Sequence, residues 1–217
     1  MEYLCWLNRF LRFAVGASFI VETVIVIVAA AAESTVPSFT LATGISFAAA
    51  TYFVADSREL WLIYPLISIL VILSVSDLKY RLLPNKIILP AMGLYLAVRL
   101  WIHELPIWEY LLGFLVGGGV LFLVSYASVR LGKSAMGGGD IKLMALLGLV
   151  MGVKLILLTL AFSSFIGCLI GLLMIGVGRL KRESFIPFGP FIALGAMIAL
   201  LFGNHLLVWY WNLFAII

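Results

Sequence analysis

Long apolar runs constrain the fold of this 217-residue chain more than any other feature. Hydrophobic residues make up 65% of the sequence and charged residues 11%, whereas soluble domains are about 45–50% apolar and about 25% charged. So few polar side chains cannot cover a water-facing globule. The composition therefore excludes a soluble enzyme, a disordered chain and a nucleic-acid-binding protein, and it predicts an all-α polytopic membrane protein.

The apolar runs have the lengths expected of membrane-spanning helices, which need about 17–25 mostly apolar residues. The candidate spans are residues 13–32, 38–55, 60–77, 87–102, 108–129, 155–178 and 187–203. A further stretch, residues 140–152, would rise only about 20 Å as a helix, so it needs tilt, local thinning or a start part-way into the bilayer. The sequence thus predicts about eight transmembrane segments, one of them short.

The basic residues predict which ends of these segments face the cytoplasm. Nine of the 14 lysines and arginines fall in three linkers, residues 79–86, 130–142 and 179–182. Two crossings separate each linker from the next, so all three lie on one side, which the positive-inside rule makes cytoplasmic. The N-terminus is then outside. The alternative is a signal peptide cleaved after Ala32, which would place the three linkers outside.

Two cytoplasmic linkers carry residues suited to chemistry. The first follows Asp77, which closes an apolar span, and it contains Pro84 and Asn85. Pro84 breaks a helix, and Asn85 is expected to cap the helix that follows. Taken alone, this segment is more typical of an interfacial loop with basic anchors.

The second segment is Gly137-Gly138-Gly139-Asp140, with Lys142 two residues later. Three glycines permit a positive φ and leave room for another chain to approach, and Asp140 then opens a helix. A glycine-rich linker before a capping aspartate is also a common structural device. The spacing of a phosphate-binding loop is absent.

The two aspartates are more informative together than apart. Asp77 and Asp140 are both predicted at cytoplasmic ends of membrane segments, where ionisable groups are costly and mark functional sites. Two carboxylates brought close cannot both ionise comfortably, so one keeps its proton. In an aspartyl protease the charged carboxylate takes a proton from the attacking water, and the protonated one hydrogen-bonds the peptide carbonyl. The pair therefore predicts a catalytic site at the cytoplasmic membrane edge.

Other chemistries find less support. The two histidines, His103 and His205, fall in or near the predicted outer loops. Cys5 and Cys168 can form neither a CxxC zinc site nor a disulfide framework, so no metal and no cofactor is predicted. Glu22 lies inside the first apolar span, and its role as a structural group or a substrate contact stays open.

Three motifs in this order resemble those of the type IV prepilin peptidases, a family of GxGD-type intramembrane aspartyl proteases. They are Asp77 with Leu83-Pro84-Asn85, then Gly137-Gly138-Gly139-Asp140-Ile141-Lys142, then Ile186-Pro187-Phe188-Gly189-Pro190. The resemblance implies that Asp77 and Asp140 are the catalytic pair. It also implies that the other motif residues shape the site or contact the substrate, namely Pro84, Asn85, Gly137, Gly138, Gly139, Lys142, Pro187, Gly189 and Pro190.

The resemblance further implies a substrate, a location and a division of the chain. The substrates would be type IV prepilins or type II secretion pseudopilins, cleaved at the cytoplasmic face of the inner membrane to remove a basic leader. Residues 1–59 would form an N-terminal transmembrane hairpin and residues 60–217 the protease domain.

The departure from the family lies in the N-terminal region. Many bifunctional members carry a zinc-binding insert with paired CxxC motifs and also methylate the new pilin N-terminus with S-adenosylmethionine. Residues 33–37 stand in place of that insert, so methyl transfer is not expected here. The alternative function is a non-enzymatic transporter or pilus-assembly scaffold that uses the two aspartates as a polar path.

Overall fold

The computed structural model describes residues 44, 46, 48–52, 57–102, 105–132, 137–177 and 187–215, and these residues form helices and connections without any strand. The long helices are α1 (Ser57–Tyr80), α2 (Asn85–Trp101), α3 (Ile107–Arg130), α4 (Gly138–Gly176) and α5 (Gly189–Ala215). The predicted all-α fold is confirmed. Glu22, the span 13–32 and the linker 33–37 lie outside the described residues.

Four stretches of helix in the described residues are long and apolar enough to cross a membrane. They are Leu62–Tyr80, Ile107–Arg130, Gly138–Gly176 and Gly189–Tyr210. Helix α2 covers the predicted span 87–102, but with 17 residues it is shorter than these four. The chain is thus a polytopic helical protein, and the full number of about eight segments stays a prediction.

The chain divides into two compact units, Met1–Ile72 and Leu73–Ile217, with α1 running through the division. In the first unit, apolar side chains of α1 are buried, among them Leu66 and Ile67. The hydroxyl groups of Tyr64 and Thr51 are hydrogen-bonded at 2.9 Å. The second unit contains both predicted aspartates.

Helix α4 reverses direction at Gly152, whose φ of 77° and ψ of 178° interrupt the helix. The hydroxyl of Thr159 donates a hydrogen bond to Sδ of Met151 at 3.9 Å, although eight residues of continuous helix would separate the two backbones by about 12 Å. Contacts between α4 and the neighbouring helix α3 also indicate a reversal. A Cβ at Gly117 would meet both Met144 and Ile156, which lie on opposite sides of Gly152 in the sequence.

The reversal makes two antiparallel segments of α4, residues 138–151 and 153–176. They correspond to the short segment 140–152 and the span 155–178 that the sequence predicts. Both the beginning and the end of α4 therefore lie at one end of this unit.

Glycines allow α3 and α4 to pack with their backbones in contact. A Cβ at Gly113 would collide with the carbonyl oxygen of Gly148, and a Cβ at Gly148 would collide with the backbone of Gly113. Small residues at such positions are typical of helix pairs in membranes, where association depends on close van der Waals packing. The same contacts fix the position of α3 along the axis of the first segment of α4.

Helix α5 packs antiparallel to the second segment of α4. A Cβ at Gly195 would lie 2.8 Å from the amide nitrogen of Ser163, and one at Gly203 would lie 2.5 Å from Leu155. Near the start of α5, the ring of Phe188 lies against Gly167. Helix α5 therefore begins at the same end of the unit at which α4 begins and ends.

A buried arginine caps the first segment of α4 at the reversal. The carbonyl oxygen of Val150 accepts hydrogen bonds from Nε of Arg99 at 3.1 Å and from Nη2 at 2.5 Å. The guanidinium carbon lies 4.5 Å from the centre of the Tyr110 ring, and Arg99 is only 5% exposed. A backbone carbonyl that loses its helical donor inside a membrane protein needs such a partner.

We expect Arg99→Met to destabilise the protein, because the Val150 carbonyl would lose both of these bonds. Leaving a buried acceptor unsatisfied costs about 1–3 kcal/mol, so the midpoint of thermal unfolding in detergent should fall. The matched control is Arg130→Met, since the Arg130 guanidinium donates to the exposed Tyr126 one helical turn away. Equal midpoints for the two variants would contradict the capping role.

Candidate active site

Asp77 lies in the last turn of α1 and is anchored to the first residue of α5. Its Oδ2 accepts a hydrogen bond from the backbone N–H of Gly189 at 2.8 Å, and its side chain is 4% exposed. A Cβ at Gly189 would lie 2.7 Å from Oδ2, so only glycine lets the carboxylate come this close. The start of a helix is also where a backbone N–H is free to donate.

Asp140 lies in the first turn of α4 and is equally buried, at 4% exposure. The N-cap is Gly137, whose carbonyl oxygen accepts a bond from the Asp140 N–H at 3.1 Å. The Oδ1 atom of Asp140 is buried without a partner in the described part of the chain. A buried carboxylate oxygen left open in this way is available to a water molecule or a substrate.

The two aspartates lie close enough for their charges to interact. They come from the end of α1 and the start of α4, so the fold brings together residues that are far apart in the sequence. Two adjacent carboxylates are most stable when they share a proton, and such a pair titrates as a unit. The predicted meeting of Asp77 and Asp140 is therefore found in the structure.

The connection from α1 to α2 differs from the prediction at Asn85. The N-cap of α2 is Pro84, with φ −69° and ψ 119°, and no side chain caps the helix. Asn85 is the first helical residue, and its Oδ1 accepts a hydrogen bond from Nζ of Lys142 at 2.8 Å. The expected cap was wrong, because the amide has a partner from α4 instead.

The glycines before Asp140 provide space and not unusual backbone angles. None of Gly137, Gly138 and Gly139 adopts the positive φ that glycine permits. A Cβ at Gly139 would lie 2.6 Å from Cβ of Leu83, whereas one at Gly138 would meet nothing within 4 Å. The expected close approach of another chain segment is therefore found at Gly139.

The third motif leads into α5. Pro187 and Phe188 precede the helix, Gly189 opens it, and Pro190 follows in the first turn, where a missing N–H breaks no helical bond. The anchoring of Asp77 by the Gly189 amide was not predicted from the sequence. The Gly-Pro pair at a helix start was the available signal, since it combines a small residue with free backbone donors.

No cluster of three or more histidine, cysteine, aspartate or glutamate residues suited to a metal ion occurs among the residues that the structure describes. His103 lies outside those residues. His205 lies on α5 well beyond its first turn.

The fold and this site define a class, namely polytopic helical membrane proteins in which two buried carboxylates meet at helix ends. Residues 64–172 match the model of the type IV leader peptidase family, and this range includes Asp77 and Asp140. The chain belongs to this family.

Curated relatives agree with this assignment. The chain is 38% identical over 175 residues to a prepilin leader peptidase/N-methyltransferase of Bacillus subtilis, covering 80% of this chain and 68% of the relative. It is 36% identical over 151 residues to the protein of that name from Pseudomonas putida, covering 69% of this chain and 52% of the relative. For the one from Stutzerimonas stutzeri the identity is 32% over 141 residues, with coverages of 63% and 48%.

The chain thus spans about two thirds of the first of these relatives and about half of the other two. No solved structure matches the chain.

We expect Gly189→Ala to lower leader-peptidase activity about tenfold or more, because its methyl group would displace the Asp77 carboxylate and small misplacements of reacting groups are costly. The matched control is Gly119→Ala on α3, where a Cβ would meet nothing within 4 Å. Cleavage of a co-expressed substrate, normalised to the amount of enzyme, measures the effect. Equal activity of both variants would show that the Gly189 contact does not position Asp77.

Proposed function

We propose that this chain is a prepilin leader peptidase that removes the basic leader from type IV prepilins or pseudopilins. The observation that carries the proposal is the pair of buried, electrostatically interacting aspartates, one of which has an oxygen without a partner among the residues that the structure describes. Membership of the type IV leader peptidase family supports the same activity. The names of the relatives supply the substrate class.

The chemistry follows from two carboxyl groups that share one proton. The ionised group takes a proton from water while the water oxygen attacks the carbonyl carbon of the scissile peptide. The protonated group donates its hydrogen bond to the carbonyl oxygen. When the tetrahedral intermediate collapses, the C–N bond breaks and the nitrogen takes a proton, which leaves a leader carboxylate and a new amino terminus.

The site suits a substrate in which a charged leader joins an apolar helix. Asp77 and Asp140 lie at the ends of membrane-length helices, where such a junction would meet them. The positive-inside rule supports a cytoplasmic position for this end. Because Lys79, Arg81 and Lys86 would not attract a basic leader, we assign recognition to the apolar helix and to residues at the cleavage point.

We assign the protease domain to residues 60–217 and the preceding residues 1–59 to a transmembrane hairpin. The family match ends at residue 172, but the Asp77 carboxylate bonds to Gly189 beyond it. The proposed activity is leader cleavage alone. The names of the relatives include N-methyltransferase, and an added methyl group would show in the mass of the product.

We expect Asp77→Ala and Asp140→Ala each to abolish cleavage while the protein still accumulates in the membrane. Without either carboxyl group, water activation or carbonyl polarisation is lost. The intact mass of a co-expressed prepilin, with wild type and with each variant, reports both leader removal and any added methyl group.

The conservative variants Asp77→Asn and Asp140→Asn separate the proposal from a polar-path role. They keep the shape and polarity of the site but cannot exchange the proton, so we expect no cleavage. Normal processing by both alanine variants would refute the peptidase proposal. A pilus-assembly defect that alanine causes and asparagine does not, without any leader cleavage, would favour the transporter or scaffold.

A further inference from the structure

The connection between α1 and α2 is fastened to the helical turn that carries Asp77. The backbone N–H of Arg81 donates to the carbonyl oxygen of Asp77 at 2.9 Å. The hydroxyl of Ser76 donates to the carbonyl oxygen of Leu82 at 2.9 Å. The start of the connection, residues 81 and 82, is therefore bonded to the last turn of α1.

The same connection is fastened to the helical turn that carries Asp140. Leu83 lies directly on Gly139, so closely that a Cβ there would come within 2.6 Å of Cβ of Leu83. Next to this contact, the Lys142 ammonium donates to Oδ1 of Asn85 at 2.8 Å. Gly139 and Lys142 flank Asp140 in the sequence.

We propose that Leu83, Asn85, Gly139 and Lys142 form a brace that sets the spacing of the two aspartates. Leu83 and Asn85 contact α4 on both sides of Asp140, and residues 81 and 82, which directly precede them, are bonded to the turn of Asp77. The proposal rests on the proposed peptidase function and adds positioning residues to it. Lys142 and Asn85 act on the reaction through the placement of the carboxylates.

The competing role for Lys142 is that of a basic residue at the membrane surface, which would act through its charge alone. Lys86 provides the comparison, because it is an exposed lysine next to Asn85 on α2. A brace and a surface charge differ in their consequences. If Lys142 belongs to a brace, replacing it disturbs the geometry of the reacting groups and replacing Lys86 does not. If Lys142 acts only as a surface charge, replacing either lysine has the same effect on activity.

The first experiment is a double-mutant cycle with Asn85→Ala, Lys142→Met and the combination, alongside Lys86→Met. An exposed polar contact contributes little to global stability, so the variants should unfold at the wild-type temperature. We expect each single variant to lower kcat about tenfold with KM unchanged, because misplaced reacting groups slow the chemical step. We expect the combination to be no slower than either single variant, since both changes remove one interaction.

Two results would overturn this part of the brace. One is a Lys142→Met enzyme that behaves like Lys86→Met. The other is a double variant whose loss equals the product of the single losses. The wild type and Asp140→Ala are assayed together with these variants as the active and inactive references. If the wild type fails to cleave, the proposed function fails, whereas an active wild type with a Lys142→Met enzyme of undiminished kcat refutes the brace alone.

The second experiment tests the contact between Leu83 and Gly139 by compensation. Gly139→Ala should lower kcat, and Leu83→Gly should restore at least part of it in the double variant, because it removes the atom that the new methyl group would meet. Leu83→Ala is the matched control, since it keeps the Cβ that lies 2.6 Å away, and it should restore nothing. Equal rescue by both changes, or rescue by neither, would overturn the contact.

Discussion

Because Gly152 takes a φ of 77°, α4 turns back on itself, and the placement of the site depends on this reversal. The first segment of α4 presents Asp140 at its start, and the second segment returns to the same end. Helix α5 can then begin there and offer the Gly189 amide to Asp77. With a continuous α4, the start of α5 would lie at the opposite end of the unit from Asp140.

The reversal itself needs stabilising contacts, because it interrupts a helix inside a membrane protein and leaves backbone groups without their helical partners. Arg99 supplies donors to the carbonyl oxygen of Val150, and the glycines of α3 lie against both segments of α4. Apolar burial drives helices together weakly in lipid, so close backbone packing and buried hydrogen bonds carry more of the stability. The stabilising contacts thus lie toward the end of the unit that contains the reversal, whereas the opposite end carries the two aspartates.

The residue pattern alone predicted the helical class, which the structure confirms, and it singled out Asp77 and Asp140 as candidate site residues. Asp77 and Asp140 stand out because charged groups are rare in long apolar runs, and the short length of residues 140–152 predicted a separate segment. The role of Asn85 was mispredicted, because capping propensity is local, whereas its partner Lys142 comes from another helix. The role of the glycines was predicted only in part, since a sequence does not reveal whether a glycine is needed for its backbone angles or for its lack of a side chain. In the structure, Gly139 is needed because a side chain there would collide with Leu83.

The proposed activity requires that the end of α1 and the start of α4 meet, so that two aspartates form one site. Cysteine cross-linking in membranes tests it most directly, with Asp77→Cys and Asp140→Cys introduced after replacing Cys5 and Cys168 by serine. We expect efficient cross-linking of this pair by a short thiol-specific reagent. Gly118→Cys with Ala145→Cys serves as the positive control, because a Cβ at Gly118 would lie 3.1 Å from Cβ of Ala145. Cross-linking of the control pair without cross-linking of the aspartate pair would show that the two helix ends do not meet.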